Sequence, residues 1–342
     1  MKHRIHGAAL ICLIVLYAAA LFAPVLAPYE VSLQNLKKSY HPPTRLMCKD
    51  GGLHVAVYEA TPAGYTAIPG VSRPLTWFPS CKPYKLLWVL PLQHKLFGVK
   101  SADDVDRVYL LGSDSTGRDV FSRLLYGAQI SLSIGFIGIL ITFTFGFLIG
   151  GLSGYFGGKV DFLAMRGVEF LMAIPTFYLL LALRAAIAEH FESGQMYIMI
   201  VVILAFIGWS STARVIRGIT CSLRQQPFIL AAEAMGQSPL RIVIKHVLPN
   251  LTGYLLVAGT LSIPAYILGE AALSFLGLGI QEPTASWGLM LRQAQEDMRI
   301  FMLNYWWMLS PGLAIFISVI SFNLLGDSLR DSFDPRCHVK KG

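Results

Sequence analysis

Six long apolar segments, separated by more polar ones, set the pattern of the chain. They are centred on residues 7–26, 128–150, 168–188, 197–213, 252–275 and 305–325. Each approaches the roughly 20 residues that an α-helix needs to cross the hydrocarbon core of a bilayer. A helix also satisfies its own backbone hydrogen-bonding groups where no water is present. The pattern therefore predicts an all-α membrane protein with about six transmembrane helices.

One stretch between the fourth and fifth apolar segments combines helical periodicity with charges and turn residues. Phe228, Ala231, Ala232 and Met235 recur at positions i, i+3, i+4 and i+7, the spacing of an apolar stripe on a short helix. Gly236 follows, and a glycine in the left-handed conformation commonly ends a helix. We therefore expect a short helix that ends at Gly236.

A second short helix is predicted directly after this glycine. Ser238 is a favourable N-cap residue and Pro239 a favourable first helical residue. Its apolar face is expected to be Leu240, Val243, Ile244 and Val247, with Arg241 and Lys245 on another side. Leu248-Pro249 is expected to close it. Two short helices with basic edges between membrane spans are typical of a docking element for a soluble partner.

Composition and charge support the membrane class. Of the 342 residues, 54% are hydrophobic and 14% charged, and the mean hydropathy is +0.56, which is unusual for a soluble protein. The net charge of +8 by itself would suit nucleic acid, but its distribution favours a membrane. Thirteen Lys and Arg residues fall in the termini, the loop after the second span and the region of the short helices, against two in the short loops opposite. The positive-inside rule then places both termini and the short helices in the cytoplasm.

The long segment between the first two spans is predicted to be exported. Twelve more Lys and Arg lie between these spans, where the segment is too long for the positive-inside rule to apply. Residues 53–58 alternate apolar and polar positions, which predicts a half-buried strand, and Tyr84–Leu90 is a candidate for another. Cys48 and Cys81 lie in this segment, so they either form a disulfide or remain two free thiols.

The second span contains glycines at every fourth position, Gly146, Gly150 and Gly154, followed by Gly158. Small residues at this spacing let two helices approach closely in a membrane. The partner helix lies either in the same subunit or in a sister subunit.

The stretch at residues 225–251 resembles the EAA loop of permease subunits from ABC importers. It has the two alanines, then Gly236 after three further residues, and Leu248-Pro249 near its end. It departs from the motif at Leu230, which replaces the leading acid, and at His246, which fills an isoleucine position. In that family the loop inserts into a groove of the ATPase subunit and transmits its closure to the membrane spans. The resemblance implies an ATPase-coupling site formed by Ala231, Ala232, Glu233, Gly236, Arg241, Leu248 and Pro249. An ordinary amphipathic hairpin is the alternative.

Five further segments closely resemble the dipeptide/oligopeptide/nickel branch of these permeases, and they occur in the family's order. They are residues 110–132, 153–175, 268–279, 286–291 and 325–336. The chain is thus similar to the C-type permease subunit of those importers. The resemblance implies the type I ABC importer permease fold, with a small β-containing extracytoplasmic insert after the first helix.

This resemblance and the apolar pattern divide the chain into four parts. Residues 1–26 are predicted to be an N-terminal transmembrane anchor, with a cleaved signal peptide as the alternative for the same basic and apolar pattern. Residues 27–127 are the extracytoplasmic insert and the approach to the second helix. Residues 128–327 are the permease core, with a coupling loop at 218–250, and residues 328–342 are a cytoplasmic tail.

Glu270 lies within the fifth span, where an ionisable side chain is costly and suggests a function. It either lines the passage and meets the ammonium group of a peptide, or it is a structural partner for a backbone group or an arginine.

The resemblance implies a permease that imports peptides across the bacterial cytoplasmic membrane by alternating access. Its implied partners are a homologous second permease, two ATPase subunits, an extracytoplasmic solute-binding protein and the bilayer, with no nucleic acid. No GxxxxGK[ST], HExxH, CxxC or GxSxG motif occurs, so we expect no enzyme activity, metal or cofactor on this chain, with ATP bound by the partners. The alternatives are import of nickel or another small solute, an ion-coupled secondary transporter, and a membrane scaffold. An ion-coupled transporter would need paired intramembrane acids, and Glu270 alone qualifies.

Overall fold

The computed structural model describes residues 2–49, 51–62, 64–86, 90–99, 107–187, 195–296 and 305–333. The chain forms two compact units. The first unit comprises Met1–Leu10, Ile134–Gly269 and Val319–Gly342, and the second comprises Ile11–Ser133 and Glu270–Ser318.

Helices account for most of the described residues. The α-helices are α1 (Lys2–Leu21), α2 (Ala23–Leu26), α3 (Val120–Phe156), α4 (Gly158–Ala173), α5 (Thr176–Ile187), α6 (Met196–Arg224), α7 (Pro227–Ala234), α8 (Pro239–Ile242), α9 (Leu248–Phe275), α10 (Trp287–Glu296) and α11 (Ser310–Phe333). Short 3₁₀ helices lie at Leu36–Lys38 and Trp306–Leu309, and a π-helical turn lies at Val243–Val247.

Within the described ranges, four helical stretches are long and apolar enough to cross a bilayer: Val120–Phe156, Met196–Arg224, Pro239–Phe275 and Trp306–Phe333. They match the predicted second, fourth, fifth and sixth spans. The predicted first span corresponds to a shorter apolar helix, His6–Leu21. The membrane class is therefore confirmed, and the predicted third span differs in form.

The third predicted span is a bent pair of helices. Gly158–Ala173 and Thr176–Leu183 meet at an angle of 91°. Between them, Ile174 is extended and Pro175 follows. Proline has no amide hydrogen to donate and disfavours helical geometry in the residue before it. Pro175 therefore separates the two helices.

The segment after α2 forms the predicted small β insert in the second unit. Its strands are β1 (Leu46–Lys49), β2 (Gly52–Thr61), β3 (Gly64–Trp77), β4 (Ser80–Leu86), β5 (Leu90–His94) and β6 (Phe97–Val99). One antiparallel sheet has the order β1-β2-β3-β6, and β4 pairs with β5. The strand predicted at 53–58 is confirmed within β2. The candidate strand Tyr84–Leu90 instead contributes to two strands, since β4 ends at Leu86 and β5 begins at Leu90.

The disulfide considered between Cys48 and Cys81 is not formed, and both thiols are free. Cys48 lies on β1 in the four-stranded sheet, whereas Cys81 lies on β4 in the two-stranded sheet. The two-thiol alternative is therefore the one found in the structure.

A ring of aromatic side chains surrounds His41 in the core of the insert. The His41 ring lies 4.9, 4.8 and 5.0 Å from the rings of Tyr58, Tyr65 and Tyr109. Its Nδ1 lies 2.6 Å from the carbonyl oxygen of Pro42. Burial lowers the pKa of His41 to about 4, although the Pro42 contact acts in the opposite direction.

Candidate functional site

The stretch between α6 and α9 folds as a helical hairpin, residues 227–247, within the first unit. α7 ends at Ala234, and Gly236 has a φ of +73°. The amide of Gly236 donates to the carbonyl oxygen of Glu233 at 2.9 Å. Glycine adopts this left-handed conformation without the steric penalty of a Cβ atom. The predicted end of the first short helix is confirmed.

The second arm of the hairpin begins as predicted but does not end as predicted. Ser238 occupies the N-cap position and Pro239 begins α8. Leu248-Pro249 was expected to close the helix, but the helical stretch runs on from Pro239 to Phe275. The π turn at Val243–Val247 directly precedes Leu248-Pro249. Its wider spacing of hydrogen bonds accommodates a residue that has no amide hydrogen.

One side of the hairpin is anchored in an apolar core. The buried residues of the hairpin are Ile229 and Ala232 on the first arm and Ile242, Val243 and Val247 on the second. They pack with Tyr155 of α3, Ile216 of α6 and Leu251 of α9. The hairpin is therefore fixed to three of the apolar helices by side chains that are almost fully removed from solvent.

The opposite side of the hairpin carries large apolar side chains that remain exposed. Phe228 is 42% exposed, Met235 71% and Leu240 58%, and Leu230 and Ile244 are also exposed. The basic side chains Arg241 and Lys245 lie beside them and are exposed as well. An exposed apolar patch with a polar rim is typical of a protein-binding surface. We call these five apolar residues the outer face of the hairpin.

The predicted apolar stripe on the first arm is largely exposed in the structure. Of Phe228, Ala231, Ala232 and Met235, only Ala232 is buried. The buried row is Ile229 and Ala232, at i and i+3. Tertiary packing selects this row, whereas the predicted stripe lies largely on the outer face. On the second arm, Val243 and Val247 of the predicted apolar face are buried, whereas Leu240 and Ile244 are exposed.

Two polar contacts that the sequence analysis did not identify hold the hairpin in place. The hydroxyl of Tyr155 donates to Oε1 of Glu233 at 2.7 Å. Within the hairpin, Nε2 of His246 lies 3.1 Å from Oε1 of Gln237, which links the turn to the second arm. The available signal was His246 in the isoleucine position of the EAA motif. No spacing in the sequence indicated the pairing of Tyr155 with Glu233, which lie 78 positions apart.

The glycines of α3 provide close packing against α6 in the first unit. A Cβ atom on Gly146 would lie 2.7 Å from Cγ2 of Thr212, and one on Gly154 would lie 2.7 Å from the backbone oxygen of Arg217. At Gly150 it would overlap the carbonyl group of Ala213. The partner of this glycine row is therefore a helix of the same chain. The fourth glycine, Gly158, faces open space and begins α4 with a φ of +55°.

Glu270 is fully buried in the second unit and is surrounded by serine hydroxyls. Ser131 donates to its Oε2 at 3.0 Å, and Ser274 donates to its Oε1 at 2.7 Å. These hydroxyls in turn accept the backbone amides of Trp287 and Ile280. Glu270 thus orients two serines that satisfy amides of the 276–287 segment. This arrangement favours the structural role over a lining role.

An ion-pair cluster of buried Asp114, Arg118 and Arg123 with the partly exposed Glu282 lies at the start of α3, again in the second unit. Nε of Arg118 donates to Asp114 at 2.7 Å, and Nη1 of Arg118 donates to Glu282 at 2.6 Å. Arg123 donates to the other oxygen of Glu282 at 3.0 Å. Burial alone would raise the pKa of Glu282, but Arg123 and then Arg118 outweigh it, so this pKa lies below its usual range. Glu282 lies 164 positions after Arg118, so sequence spacing did not indicate this pairing.

Asp119 provides the cap of that turn. Its Oδ2 accepts the amide and the hydroxyl of Ser122, at 2.8 and 2.6 Å. Burial raises the pKa of Asp119 to about 7 despite these donors. These contacts and the ion pairs of Arg118 and Arg123 fix the start of α3.

Together these features define an integral membrane protein whose spans carry a helical hairpin with an exposed apolar face. Residues 146–339, more than half of the chain, match the family model of the binding-protein-dependent transport system inner membrane component. Residues 1–43 match that of the N-terminal TM domain of oligopeptide transport permease C. The chain therefore belongs to the family of inner membrane components of binding-protein-dependent transport systems.

Several characterised relatives have similar sequences. The dipeptide transport system permease protein DppC of Bacillus subtilis is 40% identical over 226 residues, 66% of this chain and 68% of that protein. The oligopeptide transport system permease protein OppC of Haemophilus influenzae is 36% identical over 238 residues, 70% and 74% of the two chains. The nickel transport system permease protein NikC of Escherichia coli is 38% identical over 230 residues, 67% and 80% of the two chains.

Proposed function

We propose that this chain is the permease subunit of an ATP-driven peptide importer, and that the hairpin at 227–247 is where a separate ATPase subunit docks. The observation that carries the proposal is the hairpin's two-sided construction in a member of this family. Its inner side is anchored to α3, α6 and α9, and its outer face presents unpaired apolar area beside Arg241 and Lys245.

The hairpin is placed on the cytoplasmic side by the positive-inside rule, together with both termini. The four-part division at residues 26/27, 127/128 and 327/328 belongs to the same proposal, since it follows from this topology. ATP is bound by the partner subunits. A homologous permease, two ATPases and an extracytoplasmic solute-binding protein complete the assembly in the bacterial inner membrane.

The mechanism follows from how the hairpin is attached. Closure of the ATPase subunits displaces the outer face, and the apolar core together with the Tyr155–Glu233 contact passes the displacement to the helices. A partner that binds one conformation better shifts the equilibrium between inward-open and outward-open states.

In this proposal Ala231 and Ala232 keep the hairpin narrow, Gly236 fixes its turn, and Arg241 supplies charge at its edge. Leu248 and Pro249 join it to α9, and Glu270 positions the 276–287 segment.

Peptides are the proposed substrate because two of the three relatives are named for peptide transport, as is the model matched by residues 1–43. Nickel import is the second candidate, supported by the 38% identity to a nickel permease. Proteoliposomes containing the complete transporter should take up a radiolabelled dipeptide or oligopeptide when ATP is supplied. Uptake of ⁶³Ni²⁺ without any uptake of peptide would favour the second candidate.

Docking is tested by site-directed crosslinking, in a background whose native cysteines are replaced by serine. Leu240→Cys on the outer face is expected to crosslink to the ATPase subunit. Leu309→Cys, which is 42% exposed and begins the sixth span at the end opposite the proposed cytoplasmic C-terminus, is the matched control and should not crosslink. Absence of a Leu240→Cys product, or equal products from both positions, would overturn the docking proposal.

A further inference from the structure

A charged cavity lies between α4 and α6 in the first unit, away from the hairpin's outer face. Its volume is about 340 Å³. The lining residues combine three arginines, two acids and two apolar side chains: Arg166, Arg214, Arg217, Asp161, Glu169, Phe162 and Met165. We propose that this cavity binds the headgroup of an anionic membrane phospholipid, chiefly through its phosphodiester.

Charge pairing inside the cavity leaves one arginine uncompensated. Arg217 makes two hydrogen bonds to Asp161, one of them from Nε at 2.9 Å. Arg166 pairs with Glu169 at 2.9 Å and also lies over the ring of Phe162. In the part of the chain that the structure describes, Arg214 is exposed and makes no ion pair. The cavity thus carries a net charge of about +1, which complements the single negative charge of a phosphodiester.

The position of Arg214 along α6 places the cavity at a membrane boundary. Residues 196–213, at the start of α6, contain no ionisable side chain other than a tyrosine. Eighteen residues of α-helix are about 27 Å long, close to the roughly 30 Å thickness of the hydrocarbon core. Arg214 is the next residue, so its guanidinium reaches the depth at which lipid phosphates lie.

The surroundings of the cavity favour a lipid over a soluble anion. On α4, Phe162 is 60% exposed, and Val160, Leu163 and Phe170 are also exposed. On α6, Val215 beside Arg214 is exposed as well. Acyl chains would cover these side chains while the headgroup occupies the cavity. A free phosphate ion would leave them in water.

The test is native mass spectrometry of the purified, complete transporter, titrated with phosphatidylglycerol or with phosphatidylcholine of the same acyl chains. We expect tighter binding of phosphatidylglycerol. Arg214→Gln should weaken that binding by about fivefold, the contribution of one arginine near an anionic surface. Glu169→Gln should strengthen it, because it frees Arg166, and a folding defect would not produce a gain in binding.

The matched control is Arg330→Gln, an exposed arginine near the end of α11 that does not line the cavity. It should retain the wild-type affinity. Unchanged affinity in Arg214→Gln, or an equal loss in Arg330→Gln, would overturn the proposal. Complete displacement of phosphatidylglycerol by inorganic phosphate would also overturn it, by identifying a site for a soluble anion. None of these outcomes depends on which solute the transporter carries.

Discussion

The hydroxyl of Tyr155 donates a 2.7 Å hydrogen bond to Oε1 of Glu233, which joins the last turn of α3 to the first arm of the hairpin. Arg224, the last residue of α6, lies 5.7 Å from the centroid of the Tyr155 ring. Tyr155 is also part of the apolar core beneath the hairpin. One side chain therefore connects two long helices with the proposed docking element.

We expect Tyr155→Phe to loosen the hairpin without removing the ring that packs in the core. Because Glu233 is exposed, the lost hydrogen bond should cost about 1 kcal/mol of local stability. Hydrogen exchange should then quicken in residues 227–247. In proteoliposomes, more ATP should be hydrolysed for each solute molecule imported.

Tyr178→Phe is the control for this prediction, since Tyr178 is 68% exposed on α5. It should change neither the exchange rates nor the ratio of ATP to solute. A Tyr155→Phe variant with the wild-type ratio would show that the contact does not contribute to coupling.

Local backbone chemistry made part of the hairpin predictable. Gly236 must accept a positive φ, and Ser238-Pro239 favours the start of a helix, so neighbouring residues alone specify the turn. The orientation of the first arm was not predictable in this way. Ile229 is buried and Phe228 and Leu230 are exposed, yet all three are apolar. This helix packs against its own chain on one side and carries an apolar outer face on the other. Because apolar residues lie on both sides, their spacing does not show which side is buried.

Contacts between residues far apart in the sequence were the second feature that could not be predicted. Glu282 pairs with Arg118 and Arg123, which lie 164 and 159 positions earlier. Sequence spacing holds no signal for such a pair. The four-residue spacing of the glycines in α3 predicted that another helix packs closely against them. Only the structure identified that helix as α6.

Gly236→Val is expected to uncouple ATP hydrolysis from uptake, because a β-branched residue is strongly disfavoured at a φ of +73°. Gly218→Val is the matched control: Gly218 also faces open space, but it lies within α6 at a helical φ. The control should retain uptake. Gly236→Asn should also retain much of it, since asparagine tolerates the left-handed region better than valine. Equal uptake by both valine variants would remove Gly236 from the proposed mechanism.

Gly150→Ala should destabilise the packing of α3 on α6, because the added methyl group overlaps the backbone of Ala213. Overpacking of this kind costs about 1–3 kcal/mol. Thermal unfolding of the purified protein in detergent should show a lower midpoint. Gly151→Ala provides the control in the same helix, since its Cβ would meet only ordinary contacts, the nearest at 3.4 Å in Phe147. Equal unfolding midpoints for Gly150→Ala and Gly151→Ala would contradict this prediction, because they would mean that α3 and α6 move apart to accommodate the methyl group at little energetic cost.

His41 should make the β insert sensitive to acid. Its pKa is about 4 in the folded insert, below its ordinary value of 6.5, because burial disfavours the charged ring. The unfolded chain therefore binds a proton first as the pH falls. Stability that is fully present above pH 6.5 is lost progressively as the pH falls through about 4, by up to about 3 kcal/mol. Limited proteolysis of the insert between pH 7 and pH 4 should show this loss.

His41→Gln should remove most of that pH dependence, because glutamine does not titrate. His54→Gln is the control, since His54 is a partly buried histidine on β2 that contacts Ser72 at 3.3 Å rather than the aromatic ring cluster. It should leave the pH profile of the wild type intact. If His41→Gln keeps the wild-type profile as well, the acid sensitivity arises from carboxylates elsewhere in the insert, and the buried imidazole is not its cause.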